Sequence, residues 1–445
     1  MKINNIYLQN FRCFKELKLS FDGKTTVIVG VNGAGKTAIL DSIALLFGRI
    51  LTKLPNVKGI SLTNDDLRIT SKNKLSSHLI CYISATNRTD VTEWSINKNR
   101  DTSAKTKVEI LKHVNRDYVK GVKDLDSFIN SIISAENDGT EYTMPLLVYY
   151  GTDRAVFDTP MRRRNFKTQF KRFDSLTGAL SPSAKFKQAF EWFHAKENEE
   201  AREQKKRLSF DYADAELGTV RRAIQKVLPE FTNPRTELRP LRFLVDKKIA
   251  NTIYTFDLNQ LSDGYRTMLA LTLDLARRMA EANPPAPNSP DPLQSEAIVL
   301  IDEVDLHLHP SWQQRIVSDL EAAFPNSQFI LTSHSPQVLT TVPSHCIRII
   351  ENGQVYSAPP GTEGAESARL LTRVLGVDVR PPENKVTKEL MEYLELVHTD
   401  QWDKPKALEL RRKLDSIYQG EEPALLEADL HIENRKWELS GEAHH

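Results

Sequence analysis

Eight residues near the amino terminus, Gly30-Val31-Asn32-Gly33-Ala34-Gly35-Lys36-Thr37, have the types and spacing to hold a chain of phosphates. Glycines at these positions let the backbone curl so that successive N–H groups point inward, and a helix beginning where the loop ends adds the positive end of its dipole. Asn32, Gly33, Ala34, Gly35, Lys36, Thr37 and Ala38 are the expected phosphate-contacting run. Lys36 neutralises the β- and γ-phosphates, and the Thr37 hydroxyl is placed to ligate magnesium. The motif means something only between a buried strand and a helix. Both are present: TTVIVG ends at Gly30, and after Thr37 the apolar residues Ile39, Leu40, Ile43, Leu46 and Phe47 recur at helical spacing.

Two further groups of residues suit the same chemistry. The apolar run AIVLI delivers Asp302 and Glu303 at its carboxyl end, where open α/β sheets keep their ligands. Asp302 would hold the metal, directly or through water, and Glu303 would accept a proton from the attacking water or orient it. Taken alone, the pair also reads as acidic caps at a strand end. Leu261-Ser262-Asp263-Gly264-Tyr265-Arg266 precedes the apolar helix MLALTLDLA. Ser262 reads either as that helix's N-cap or, with the backbone at Gly264, as a donor to a γ-phosphate.

The elements that must position these residues follow from periodicity. INNIYLQNF, ELKLSF and TTVIVG read as a strand meander feeding the loop. HLICYISA, VTEWSI and LLVYYG are further strands, with a helix around Asp124–Ser134. A charged helix over Ala184–Leu208 carries Phe186, Phe190 and Phe193 on one side, with no sustained heptads. Residues 282–292, ANPPAPNSPDP, form a loop or insertion. AIVLI and QFILT, separated by a helix of about ten residues, make a parallel βαβ unit. Asn352-Gly353 between two apolar runs signals a hairpin. Beyond about residue 365 the pattern is helical. The expected divisions are 1–150 and 256–365 for the two parts of an α/β head, 151–255 for an inserted helical and basic lobe, and 366–445 for a helical tail.

Composition excludes several classes. Sixty basic against fifty-nine acidic residues give a net charge of +1, so any nucleic-acid surface must be local. Arg162, Arg163, Arg164, Lys167, Lys171 and Arg172, interleaved with Phe166, Phe170 and Phe173, are the candidate for such a surface. A solvated helix face with its Phe residues in the core is the plainer reading. Cys13, Cys81 and Cys346 lack zinc or disulfide spacing. No stretch is apolar enough to span a membrane and no secretory signal opens the chain, so a cytoplasmic location without membrane attachment is expected.

The opening LQNFRCF, the LSDGYR block, DEVDLHLHP and LTSHSP stand in the order seen in ABC-type ATPases, and the chain resembles their RecF/SMC/OLD-like group. The resemblance implies a P-loop ATPase head of mixed sheet and helices that takes ATP and Mg2+. It implies that Arg12 lies near the nucleotide, that His334 joins Lys36 and Glu303 as the catalytic set, and that Asp305 communicates across subunits. Because the signature of one subunit reaches the other's nucleotide in that family, it also implies a head-to-tail dimer or higher oligomer, with Ser262 and Gly264 serving the partner copy. No glutamine is identified for the sensor loop that follows the P-loop helix; Tyr149-Tyr150-Gly151 and Arg154 occupy that region. Within the group, overall layout and the helical tail resemble the PtuA family of Septu antiphage defence ATPases, which implies control of a separate HNH nuclease. The alternative is a RecF-type repair ATPase that clamps DNA itself.

Overall fold

The computed structural model describes the chain except residues 22, 56, 72, 88–89, 153–169, 182–185, 287–288 and 443–445. Arg154 and the basic positions Arg162, Arg163, Arg164 and Lys167, with Phe166, lie outside the described residues.

The amino-terminal strands β1 (Lys2–Phe11) and β2 (Phe14–Ser20) pair antiparallel. β2 alternates buried and exposed residues, as a strand with one wet face should. β3 (Thr25–Val29) is buried at all five positions, so it cannot continue that half-exposed sheet. It leaves the meander expected from sequence and becomes a central strand of a second sheet. α1 (Lys36–Leu51) follows the P-loop, and β4 (His78–Asn87) and β5 (Asp90–Asn99) complete the first sheet in the order β2-β1-β4-β5. Trp94 of β5 pins that sheet to α1: its indole N–H donates to Leu46 O at 3.0 Å, and its ring meets Phe47 edge-on.

α2 (Ala104–His113), α3 (Lys123–Asp138) and β6 (Leu146–Tyr150) come next. The region expected to be a helical lobe contains α4 (Phe186–Arg207) and α5 (Ala215–Val227). It also holds a third sheet of β7 (Phe231–Leu238), β8 (Leu241–Ile249) and β9 (Thr252–Asp257). The helical reading was too narrow: Phe186, Phe190 and Phe193 need an apolar face to cover them. Phe243 of β8 supplies it, with ring centroids 5.2–6.5 Å away.

α6 (Asp263–Ala282) leads to β10 (Ala297–Ile301). The single helix expected before β11 (Gln328–Thr332) is two, α7 (Pro310–Gln313) and α8 (Ile316–Ala323). α9 (Pro336–Leu339), β12 (Ile347–Glu351) and β13 (Gln354–Ser357) follow. The second sheet runs β13-β12-β3-β11-β10-β6, parallel throughout except for β13. Its parallel strands are nearly continuous in buried apolar residues, as strands covered on both faces require. Asn352 and Gly353, both at positive φ (50° and 75°), turn β12 into β13.

The chain divides into two compact units, Met1–Leu375 and Gly376–His445. α10 (Ser367–Arg373), assigned to the tail from sequence, belongs to the first, because Leu370 and Val374 are buried in its core. The second unit holds α11 (Lys385–His398), α12 (Pro405–Tyr418) and α13 (Pro423–Glu442) around a core of its own. Leu390, Tyr393, Val397, Ala407, Leu414, Leu425 and Ala428 form that core. Among the described residues no helix is long and apolar enough to cross a membrane.

Candidate nucleotide site

The order β3-β11-β10-β6 brings four loops to one edge of the sheet, the carboxyl ends of adjacent parallel strands. The P-loop leaves β3, His334 follows β11, Asp302 and Glu303 follow β10, and Gly151 follows β6. Parallel sheets bind ligands at this edge because only there do strand ends and helix N-termini meet.

Asn32 and Gly33 are exposed at the loop's tip, with Ala34 and Gly35 half-buried behind them and Ala38 buried in the first turn of α1. Gly35, the N-cap of α1, has φ 100°. A Cβ there would stand 2.6 Å from Cys13 Sγ and nearer still to the Phe14 ring, so both backbone angle and space demand glycine. Lys36 is buried, and its ammonium donates to Gly30 O at 2.9 Å and Val31 O at 3.2 Å. Burial pushes the Lys36 pKa down, while Asp302, Glu303 and Asp305 all act to raise it. The carboxylates after β10 therefore face the P-loop lysine.

Thr37 is exposed, yet its hydroxyl donates to Asp302 Oδ2 at 2.8 Å. The other carboxylate oxygen of Asp302 accepts from Thr332 Oγ1 at 2.6 Å, and the Asp302 N–H donates to Tyr150 O at 2.8 Å. Thr332 Oγ1 also accepts from the Glu303 N–H at 2.6 Å. Glu303 has φ 48°, left-handed backbone that costs a non-glycine residue on the order of 1 kcal/mol. The threonine at the end of β11 thus fixes both acidic residues at the end of β10.

Arg12, also at positive φ (47°), pairs with Asp41 of α1 and with Asp66, its Nε donating to Asp66 Oδ1 at 3.0 Å. Its charge is directed at these carboxylates beside the P-loop helix, the neighbourhood in which the resemblance expects a basic residue near the nucleotide. Tyr149 of β6 faces Asp41 and Asp302, and burial together with these carboxylates pushes its phenol well above the ordinary range. His334 is half-buried just past β11. Gln313 ties the acidic loop to the histidine's segment: its amide donates to Leu308 O at 2.9 Å and accepts from Ser335 Oγ at 2.7 Å. Asp305 Oδ1 is buried without a hydrogen-bond partner among the described residues.

Ser262 occupies the N-cap position of α6, but its side chain makes no capping bond and stands exposed. Gly264 lies against the loop after β10, where an added Cβ would come within 2.9 Å of His307 O. Ser262, Gly264, His307, Leu308, His309 and Trp312 line an open depression that takes no residue from this chain's own P-loop. Tyr265, edge-on to both Phe231 and Trp312, locks the first turn of α6 in place.

Sequence reasoning gave no role to Thr332, Asp41, Asp66 or Gln313. Thr332 stood inside LTSHSP and could have been singled out as the hydroxyl at a strand end. The carboxylates around Arg12 carry no local signal, since Asp66 is distant in sequence and Asp41 looks like any polar residue of a helix.

Residues 5–232 match a family model described as an AAA domain, AAA_23. The chain is 32% identical to the retron Ec83 probable ATPase of Escherichia coli over 501 aligned positions, covering 98% of this chain and 88% of that one. It is 31% identical to the retron Vc95 probable ATPase of Vibrio cholerae serotype O1 biovar El Tor, covering 79% and 73%. The Septu protein PtuA of Bacillus mycoides (strain KBAB4) is 25% identical over 75% of this chain, which spans 38% of that protein's length. Among solved structures, the SMC head domain from Thermotoga maritima overlays 81% of the chain and 100% of its own at 16% identity, with a TM-score of 0.41. The chain belongs to the AAA-domain family, with the retron Ec83 and Vc95 probable ATPases and Septu PtuA among its relatives.

Proposed function

We propose that the chain binds and hydrolyses ATP at composite sites formed by two copies set head to tail, as the ATPase subunit of a retron- or Septu-type antiphage defence assembly whose nuclease is a separate protein. The observation that carries the reading is the meeting of Thr37, Asp302, Thr332 and Glu303 beside the P-loop. Thr37 and Asp302 offer two hard oxygen donors 2.8 Å apart, which fits magnesium, an ion that keeps water and phosphate oxygens as its other ligands. When bound, magnesium compensates charge on the phosphates. The chain's own residues do the rest: loop amides and Lys36 hold the phosphates, Glu303 takes the proton of the attacking water, and His334 orients that water and the γ-phosphate.

Two features support pairing. Ser262 presents a hydroxyl that its own helix does not use, and Asp305 keeps a buried carboxylate oxygen with no hydrogen-bond partner among the described residues. A second copy that brings phosphates to Ser262 and donors to Asp305 would satisfy both. Of the basic run, Arg172 donates to Ala282 O and stacks 3.7 Å from the Tyr142 ring centroid, an internal role that favours the regulatory reading over a DNA clamp.

Turnover measured beside pairing in solution tests this. Lys36→Ala is expected to lose nucleotide binding, Glu303→Gln to bind ATP and accumulate as a trapped pair, and Ser262→Arg to bind ATP without pairing or turnover. Normal hydrolysis by Ser262→Arg would remove the composite site, and wild-type turnover by Glu303→Gln would remove the assigned base.

A further inference from the structure

The two consecutive tyrosines that end β6 reach to opposite faces of the sheet, as neighbours in a strand must. Tyr149 faces Asp41 of the P-loop helix, the carboxylate that Arg12 also holds. Tyr150 is fully buried on the other face, and its hydroxyl donates to Asp274 Oδ2 of α6 at 3.0 Å. Its carbonyl accepts the N–H of Asp302 at 2.8 Å. One residue therefore bonds the metal-site strand through its backbone and the signature helix through its side chain.

Asp274 is built to hold that connection. Its Oδ1 accepts from Arg277 and its Oδ2 from Arg278, each at 2.7 Å. Arg277 continues to Glu281, and Arg278 reaches Thr177 O at 3.1 Å. All four side chains are buried, so the ionic cluster cannot reorganise cheaply. Ser262 lies about 18 Å along the same helix from Asp274, at 1.5 Å of rise per residue. A helix fixed by buried charges over its later turns moves as a rod, so a displacement at Asp274 reappears at Ser262.

We infer that Tyr150 is a positioning residue that couples occupancy at Asp302 to the placement of Ser262, so that a protomer with filled P-loop presents its signature to a second copy in the pairing-competent position. The inference rests on the composite-site reading above. β6 is the edge strand of its sheet, paired with β10 on one side and tied on the other by the Tyr149 N–H, which donates to Ala179 O at 2.7 Å; a shift of the Asp302 backbone is passed to it through the Tyr150 carbonyl. The hydroxyl then passes it to α6. The direction of coupling is reciprocal: engagement of Ser262 by a partner's nucleotide bears back on Asp302.

Tyr150→Phe removes one hydroxyl and keeps the ring that fills the core. The assay follows binding of a fluorescent ATP analogue, ATP-dependent pairing and steady-state turnover for wild type, Tyr150→Phe and Ser262→Arg. Tyr150→Phe is expected to keep analogue affinity within about twofold while kcat and pairing fall about tenfold, the size of one lost hydrogen bond to a charged acceptor. Wild-type kcat and pairing in Tyr150→Phe, with Ser262→Arg blocked, overturn the inference and leave the composite site standing. A parallel fall in affinity and kcat overturns it too, as the mark of general loosening. Normal turnover by Ser262→Arg overturns both readings. A second measurement does not depend on Tyr150→Phe folding: hydrogen exchange in unpaired Ser262→Arg. There ATP is expected to protect the first turns of α6 as well as the P-loop, and protection confined to the P-loop overturns the coupling.

Discussion

Thr332 performs two tasks with one oxygen, donating to Asp302 and accepting from the Glu303 N–H. Thr332→Val keeps the shape and loses both bonds. It takes one partner from the Asp302 carboxylate and one from the Glu303 N–H, at about 1–3 kcal/mol of stability. We expect kcat to fall on the order of a hundredfold, because Glu303 is then free to leave its left-handed backbone, while ATP affinity changes by a few-fold; turnover and thermal melting together check this. At this scale Lys36, Thr37, Asp302 and Glu303 were legible because the P-loop is contiguous and an apolar strand ending in two acids is conspicuous. Thr332 was not, because its task exists only once β10 and β11 lie side by side in the register Ile301 to Leu331.

Among the elements, α6 carries the heaviest electrostatic load. Burial alone would raise the pKa of Asp274, but Arg278 and Arg277 bring it down to about 2. A carboxyl whose folded pKa lies below its unfolded value of about 3.9 contributes stability that is present above that value and lost as pH falls toward 2. Asp274→Asn should therefore flatten the acid limb of the stability curve between about pH 4 and pH 2, measured by denaturant titration. It should also cost about 3–5 kcal/mol at neutral pH, since the buried Arg278 guanidinium loses its carboxylate and Arg277 is left with Glu281. Glu281 answers in the opposite sense: burial outweighs Arg277 and Arg278 and raises it to about 7. The sequence showed α6 only as an apolar helix. Its charged residues Asp274, Arg277, Arg278 and Glu281 were given no role, and their burial follows from contacts with β6 and with residues 172–180 that no local pattern encodes. Strand positions were readable from period two and from buried runs. Strand order was not: β3 lies between β11 and β12, which come some three hundred residues later.

At the scale of the whole molecule, the boundary at residues 375 and 376 separates two cores. Removing 376–445 should leave a head that melts within a few degrees of the intact chain and still binds ATP. Removing 366–445 also takes Leu370 and Val374 out of the core, which costs about 2–5 kcal/mol for a large aliphatic side chain. Melting curves of the two truncations distinguish these outcomes. Helical periodicity alone placed the cut about ten residues early, since it cannot tell a helix that packs backward onto the head from one that packs forward into the tail.

The tail's seven core residues, drawn from three successive helices, are closed by the ion pairs Arg411 to Asp429 and Arg380 to Glu422. Such a bundle carries its folding instructions within itself. Its stability is thus set apart from that of the head, and a change within one core leaves the packing of the other untouched.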